Sequence, residues 1–77
     1  MYNISDLTCW VRTLSNSKPY RMMIKNGIGF YEIVFLYDNY HYCDRLTPKD
    51  MENEISCQKK VLEMCSKFEK NIKLKVF

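Results

Sequence analysis

The residues that could do chemistry in this chain are its one histidine and four cysteines. His41 and Cys43 lie two positions apart in a segment typical of a strand, so their side chains are predicted to share one face. A histidine beside a cysteine is the pair that activates a thiol nucleophile. Along a strand, however, this spacing places them about 7 Å apart, and the sequence offers neither an orienting residue nor a glycine-rich oxyanion loop. We therefore do not expect an enzyme.

Metal and cofactor binding are not expected either. The four cysteines show no Cys-x-x-Cys spacing, whereas closed zinc sites present closely spaced ligand pairs. Cys57 and Cys65, on a predicted helix, would lie about 12 Å apart. Gly27 and Gly29 form a Gly-x-Gly motif, but no strand-to-helix transition follows, so a phosphate loop is unsupported. The cysteines are expected to be reduced and mostly buried.

The segment FYEIVFLYDNYHY, from Phe30 to Tyr42, dominates the predicted elements around these residues. Its aromatic and β-branched residues predict strands at about 30–37 and 40–46, joined by a turn at Asp38 and Asn39. A strand at about 20–25 precedes them, and the loop between contains two glycines suited to a hairpin. The sequence therefore predicts an antiparallel meander.

A helix is predicted on each side of this sheet. The first, at about 5–15, has apolar residues at helical spacing. The second is predicted to begin at Thr47 and Pro48, because threonine caps helices and proline suits the first helical position. It is expected to run over about 48–69 and to stop near Asn71. Alternation after that residue predicts a short edge strand at 72–76.

The resulting order is α-β-β-β-α with a possible final strand, a two-layer α+β sandwich that forms a single domain over residues 1–77. Both helices are expected to cover the same face of the sheet. Aromatic residues on both faces predict that tyrosines remain exposed on the other one. The tyrosines expected to remain partly exposed are Tyr31, Tyr37, Tyr40 or Tyr42, and the alternative is that the tyrosines are simply strand formers. The expected core comprises Trp10, Leu14, Ile24, Ile33, Val34, Phe35, Ile55, Val61, Leu62 and Met64.

The composition and the first residues limit the classes of protein to which the chain can belong. With 47% hydrophobic residues in 77 and a net charge of +3, the chain is typical of a small folded domain. Its first residues lack the basic start and apolar core of an export signal, and no segment approaches the roughly 20 apolar residues of a membrane span. A cytoplasmic protein without membrane contact is expected.

Two kinds of partner surface follow from the sequence. Exposed tyrosines are enriched at protein interfaces, which makes Tyr37, Tyr40, His41 and Tyr42 the candidate contacts for a protein partner or for a homodimer. The alternative is nucleic-acid binding through basic residues near the C-terminus. Those residues are Lys59, Lys60, Lys67, Lys70, Lys73 and Lys75.

Over residues 5–68 the order of elements resembles the double-stranded-RNA-binding domain. That family binds RNA through a histidine in its first hairpin loop and a basic cluster at the start of its last helix. This chain has Asn26-Gly27-Ile28-Gly29 and Thr47-Pro48-Lys49-Asp50-Met51-Glu52 at those places. Some members of the family bind protein or dimerise instead, and the resemblance implies one of these binding roles.

The chain is also similar to small phage-encoded inhibitors, in particular the type II-A anti-CRISPR proteins. The similarity rests on its length, its αβββα order, its content of lysine, asparagine and tyrosine, and its N-terminal segment Asn3-Ile4-Ser5-Asp6-Leu7. It implies an inhibitor that binds a larger host protein or ribonucleoprotein complex, by occlusion or dimer capture. DNA mimicry is excluded, because a chain of charge +3 cannot imitate a phosphate backbone.

Overall fold

A computed structural model describes residues 2–72 of the chain. It confirms the α-β-β-β-α order of a small α+β fold. Apart from Ile72, the predicted edge strand at 72–76 lies outside the described residues. The elements are α1 (Ile4–Asn16), β1 (Arg21–Asn26), β2 (Tyr31–Tyr37), β3 (Tyr40–Leu46) and α2 (Glu54–Asn71).

The three strands form the predicted antiparallel meander in the order β1-β2-β3. Ile33 on the central strand lies opposite Ile24 on β1 and Asp44 on β3. Because both hairpins keep this register without a bulge, side chains from the three strands line up in rows across the sheet.

Both hairpin turns use an unusual backbone conformation. Gly29 has a φ of +77°, the left-handed value that glycine adopts without strain. Asp38 has a φ of 53°, which aspartate tolerates better than most residues. Gly27 leaves room for the Phe30 ring, since a Cβ at position 27 would lie 2.5 Å from that ring and displace it.

Both helices pack on the same face of the sheet, as predicted. Ile33 and Phe35 point toward them from β2 and are fully buried. On α2, the residue that fills the centre of the core is Phe68, whose ring stacks on Phe35 at 5.0 Å and meets Tyr20 edge-on at 5.1 Å. Tyr20 donates a hydrogen bond to Glu69, and burial raises the pKa of its hydroxyl. One face of the sheet is therefore buried against the two helices and excluded from solvent.

The predicted start of α2 at Thr47 and Pro48 is wrong. The helix begins at Glu54, and the side chain of Asn53 caps it by accepting a 2.8 Å hydrogen bond from the Ser56 amide. Residues 47–51 form one separate turn, in which the Met51 amide donates to the carbonyl of Thr47 at 3.2 Å.

Packing explains why the helix does not continue through this turn. The Cys57 thiol lies 3.5 Å from the Met51 sulfur, and both residues are buried. In one continuous helix, residues six apart are separated by about 9 Å of rise and point in different directions. The contact therefore requires a break between Met51 and Cys57.

This break also changes which side of α2 is buried. Ile55 and Leu62 were expected in the core, but they are 80% and 47% exposed. Their expected stripe included Met51, which is not part of the helix. Of the other expected core residues, Trp10, Leu14 and Ile24 are half-buried and the rest are buried. The stripe that packs on the sheet consists of Cys57, Val61, Met64, Cys65 and Phe68.

Candidate functional site

The second face of the sheet, turned away from both helices, is the candidate functional site. Neither described helix covers it, because α1 and α2 pack on the side of Ile33 and Phe35. We call it the open face. Strand alternation and register assign nine residues to it: Arg21, Met23, Lys25, Glu32, Val34, Leu36, His41, Cys43 and Arg45.

The centre of the open face is apolar. Val34 on β2 lies opposite Met23 on β1 and opposite Cys43 on β3, so these three residues form one row across the sheet. Val34 is only 7% exposed, whereas Met23 is 45% exposed. Half-buried Leu36 extends this apolar centre along β2. The side chains of Met23 and Leu36 are therefore available for contact with an apolar partner surface, whereas Val34 is buried beneath its neighbours.

Basic residues occupy the corners of the open face. Arg21 and His41 flank Leu36 at one end, and Lys25 and Arg45 flank Glu32 at the other. The Arg45 guanidinium also lies 4.4 Å from the centre of the Phe30 ring, a cation–π contact that positions it.

Among the described residues, no direct ion pair neutralises these corners. Within residues 2–72, the salt bridge that the structure contains joins Lys18 to Glu69 at 3.2 Å, away from the open face. Glu32 is the single acidic residue among the nine. The open face thus combines an apolar centre with a positively charged rim.

The tyrosines do not lie where the sequence predicted. Register places Tyr37, Tyr40 and Tyr42 on the face that the helices cover, with Tyr37 opposite Tyr40. Tyr31 points to the same side and is half-buried. The prediction that tyrosines occupy the uncovered face is therefore wrong, but all four remain partly exposed, as predicted, with Tyr40 57% exposed at the end of the sheet.

Tyr42 is a packing residue. Its ring lies 6.0 Å from Phe35 and 6.2 Å from Phe68, and its hydroxyl donates to Asp44 at 3.4 Å. Burial, helped by the nearby Asp44 carboxylate, raises its pKa. Of the four predicted partner contacts, only His41 lies on the open face.

His41 and Cys43 share the open face, as the strand spacing predicts. Their side chains approach more closely than expected, with 3.7 Å between the Cys43 sulfur and His41 Nε2. Both are exposed. Among residues 2–72, no three histidine, cysteine, aspartate or glutamate side chains group together as metal ligands. His41 and Cys43 are therefore part of an exposed surface. Within residues 2–72, no carboxylate forms a hydrogen bond with the His41 imidazole.

The other cysteines divide between core and surface. Cys57 and Cys65 are buried on α2, and burial raises the pKa of both thiols, that of Cys57 to about 11. Cys9, like Cys43, is exposed. All four are free thiols in the structure, and burial, which was expected for most of them, applies to two.

The lysines of the alternative site lie on the other side of the molecule. Lys59, Lys67 and Lys70 are exposed on α2, Lys60 is half-buried, and Glu63 lies among them. Lys73 and Lys75 fall outside the described residues. The helix separates these lysines from the sheet, so they and the open face form two distinct basic surfaces.

No helix in the described part of the chain has the length and apolar character needed to cross a membrane. Comparison of the chain with protein-family models, with curated proteins and with solved structures finds no match.

Proposed function

We propose that this chain is a small protein-binding module that inhibits a larger protein or ribonucleoprotein complex by covering part of its surface. The observation that carries the proposal is the open face, a sheet surface with an apolar centre that no described helix covers. The resemblance to phage-encoded inhibitors suggests a viral origin and a host enzyme or defence complex as the target. Its action would then take place in the host cytoplasm.

The composition of the open face supports protein binding. Protein interfaces typically have an apolar centre that excludes water and a polar rim. Here Met23, Val34 and Leu36 provide the centre, and charged residues surround it. His41 and the exposed Tyr40 remain predicted contacts, whereas Met23 and Leu36 replace Tyr37 and Tyr42 in that role because these two tyrosines pack against the core.

Two substitutions of matched exposure test the surface. Met23 on the open face and Leu62 on α2 are 45% and 47% exposed, so a glutamate at either position disturbs folding to a similar, small extent. The tagged protein is used to capture partners from a lysate of its host cells after nuclease treatment. One protein retained by the wild type and by Leu62→Glu, but lost with Met23→Glu, is the expected result. Equal retention by Met23→Glu would contradict the proposed surface.

Nucleic-acid binding is the second candidate function. The observation that favours it is the exposure of Lys59, Lys67 and Lys70 on one side of α2. Phosphate contacts by lysine release counterions, so affinity for nucleic acid should then fall steeply as salt rises. Loss of all captured material on nuclease treatment would favour this function, and a flat salt dependence would oppose it.

A further inference from the structure

We propose that the partner element that binds the open face is an acidic amphipathic helix, with carboxylates on both sides of an apolar stripe. This inference rests on the proposed function, because it names the partner of the same surface.

The dimensions of the open face fit one helix. Three strands separated by about 4.8 Å span about 10 Å, close to the 10–12 Å diameter of a helix with its side chains. The corners on one strand, such as Arg21 and Lys25, are four residues apart, or about 14 Å. A helix of about nine residues covers that length. The other face of the same sheet is already covered by helices.

The charges of the open face specify which helix fits. An apolar stripe would contact Met23, Val34 and Leu36 along the middle. Acidic residues on both sides of the stripe would then approach the basic corners on β1 and β3. Such complementarity accelerates association and suppresses wrong partners. A partner helix with basic flanks would bring like charges together at Arg21, Lys25 and Arg45.

Symmetry argues against a second copy of the chain as the partner. Two open faces can be stacked centre on centre about a two-fold axis that runs along the strands. Arg21 of one copy then lies against His41 of the other, and Lys25 lies against Arg45. An axis across the strands places Arg21 against Lys25. Both arrangements oppose basic residues, and Glu32 cannot compensate for all of them.

The apolar centre also favours protein over nucleic acid at this surface. Single-stranded nucleic acids bind through aromatic rings on which bases stack. The central row of Met23, Val34 and Cys43 offers no ring, and the Phe30 ring at the edge is already covered by Arg45.

A pair of synthetic peptides tests the proposal. The acidic peptide is a helix of about 18 residues with leucines along one stripe and glutamates on both flanks, and its control has glutamine for every glutamate. The full-length protein is titrated with each peptide at low and high salt. We expect the acidic peptide to bind and its glutamine control not to bind. The affinity for the acidic peptide should fall about tenfold or more at high salt. No binding of the acidic peptide, or equal binding of both peptides, would overturn the inference.

Two double variants test which basic residues of the protein bind the acidic peptide. Arg21→Glu with Lys25→Glu reverses two corners, and Lys59→Glu with Lys70→Glu makes the same change in net charge on α2. The corner variant should lose affinity for the acidic peptide about tenfold, and the α2 variant should lose much less. Equal losses would overturn the inference, because they would show attraction by net charge only. Sedimentation should show a monomer at low salt, and oligomers abolished by Met23→Glu would overturn it in favour of a second copy.

The proposed function and this inference can fail separately. Capture of a partner protein that depends on Met23, combined with no affinity for the acidic peptide, would leave the open face as the interface and overturn its acidic helical partner. Peptide binding that is insensitive to Met23→Glu and to the corner variant would place the peptide elsewhere and overturn this inference, and capture of the partner protein that is also insensitive to Met23→Glu would overturn the proposed function.

Discussion

Tyr42 and Tyr40 point to the same side of β3, but they differ in what surrounds them. Tyr42 contacts the rings of Phe35 and Phe68, whereas Tyr40 is 57% exposed beside the turn. We expect Tyr42→Ala to lower the free energy of unfolding by about 2 kcal/mol, below the range for a fully buried aromatic residue. Tyr40→Ala should change it by less than about 0.5 kcal/mol.

Urea denaturation of the two tyrosine variants measures this difference. Equal destabilisation would show that Tyr42 is not part of the core. The comparison also bears on interface mapping, because a variant that removes Tyr42 would reduce partner binding through partial unfolding. Met23 is the better residue for that purpose, since it lies on the open face.

At the scale of elements, the position where α2 begins decides which of its side chains reach the core. Asn53 has an extended backbone, φ −149° and ψ 165°, and its side chain caps the helix. Asn53→Ala should cost about 1 kcal/mol of stability, and Asn53→Asp should retain most of it, because aspartate caps equally well. Thermal unfolding followed by circular dichroism measures both. Equal stability of the alanine and aspartate variants would contradict the cap.

Glu54→Pro provides an independent test of the same boundary. As the first residue of α2, position 54 can accept proline, and the extended backbone of Asn53 suits a residue that precedes proline. A helix that started at Pro48 would instead have proline in its interior, at a cost of about 3 kcal/mol. We expect a loss below about 1 kcal/mol, since proline at a first helical position removes no helical hydrogen bond.

At the scale of the whole molecule, burial on one side of the sheet links stability to pH. The protonated thiol of Cys57 is favoured in the folded state, where burial and, to a smaller extent, Asp50 raise its pKa from 9.0 to about 11. Burial also raises the pKa of Cys65 and of Tyr20. Above pH 9 the unfolded chain releases these protons first and is thereby stabilised relative to the folded state.

We therefore expect the melting temperature to be insensitive to the Cys57 thiol below about pH 9 and to fall as pH rises through 9 to 11. Thermal unfolding between pH 7 and 11 measures the effect. Cys57→Val, which keeps a side chain of similar size without an ionisable group, should show a shallower decrease. An identical decrease in this variant would exclude Cys57 as a cause.

The sequence determined the kind and order of the elements. Alternation with a period of two predicts strands and spacing of three to four predicts helices without reference to the rest of the fold. The predicted β3, at 40–46, matches Tyr40–Leu46, and α1 agrees to within one residue at each end. The pairing of His41 and Cys43 on one face also followed from alternation alone.

The tertiary structure alone decided which face of the sheet is covered. Alternation defines two faces, but both faces of β2 carry apolar residues, so local pattern could not choose between them. Arg21 and Lys25 alternate with Tyr20, Met22 and Ile24, and these two basic positions on β1 were a sequence signal for the open face. The start of α2 was likewise decided by the burial of Met51 against Cys57. Local capping signals at Thr47 and Asn53 are similar in strength, and only packing against the sheet distinguishes them.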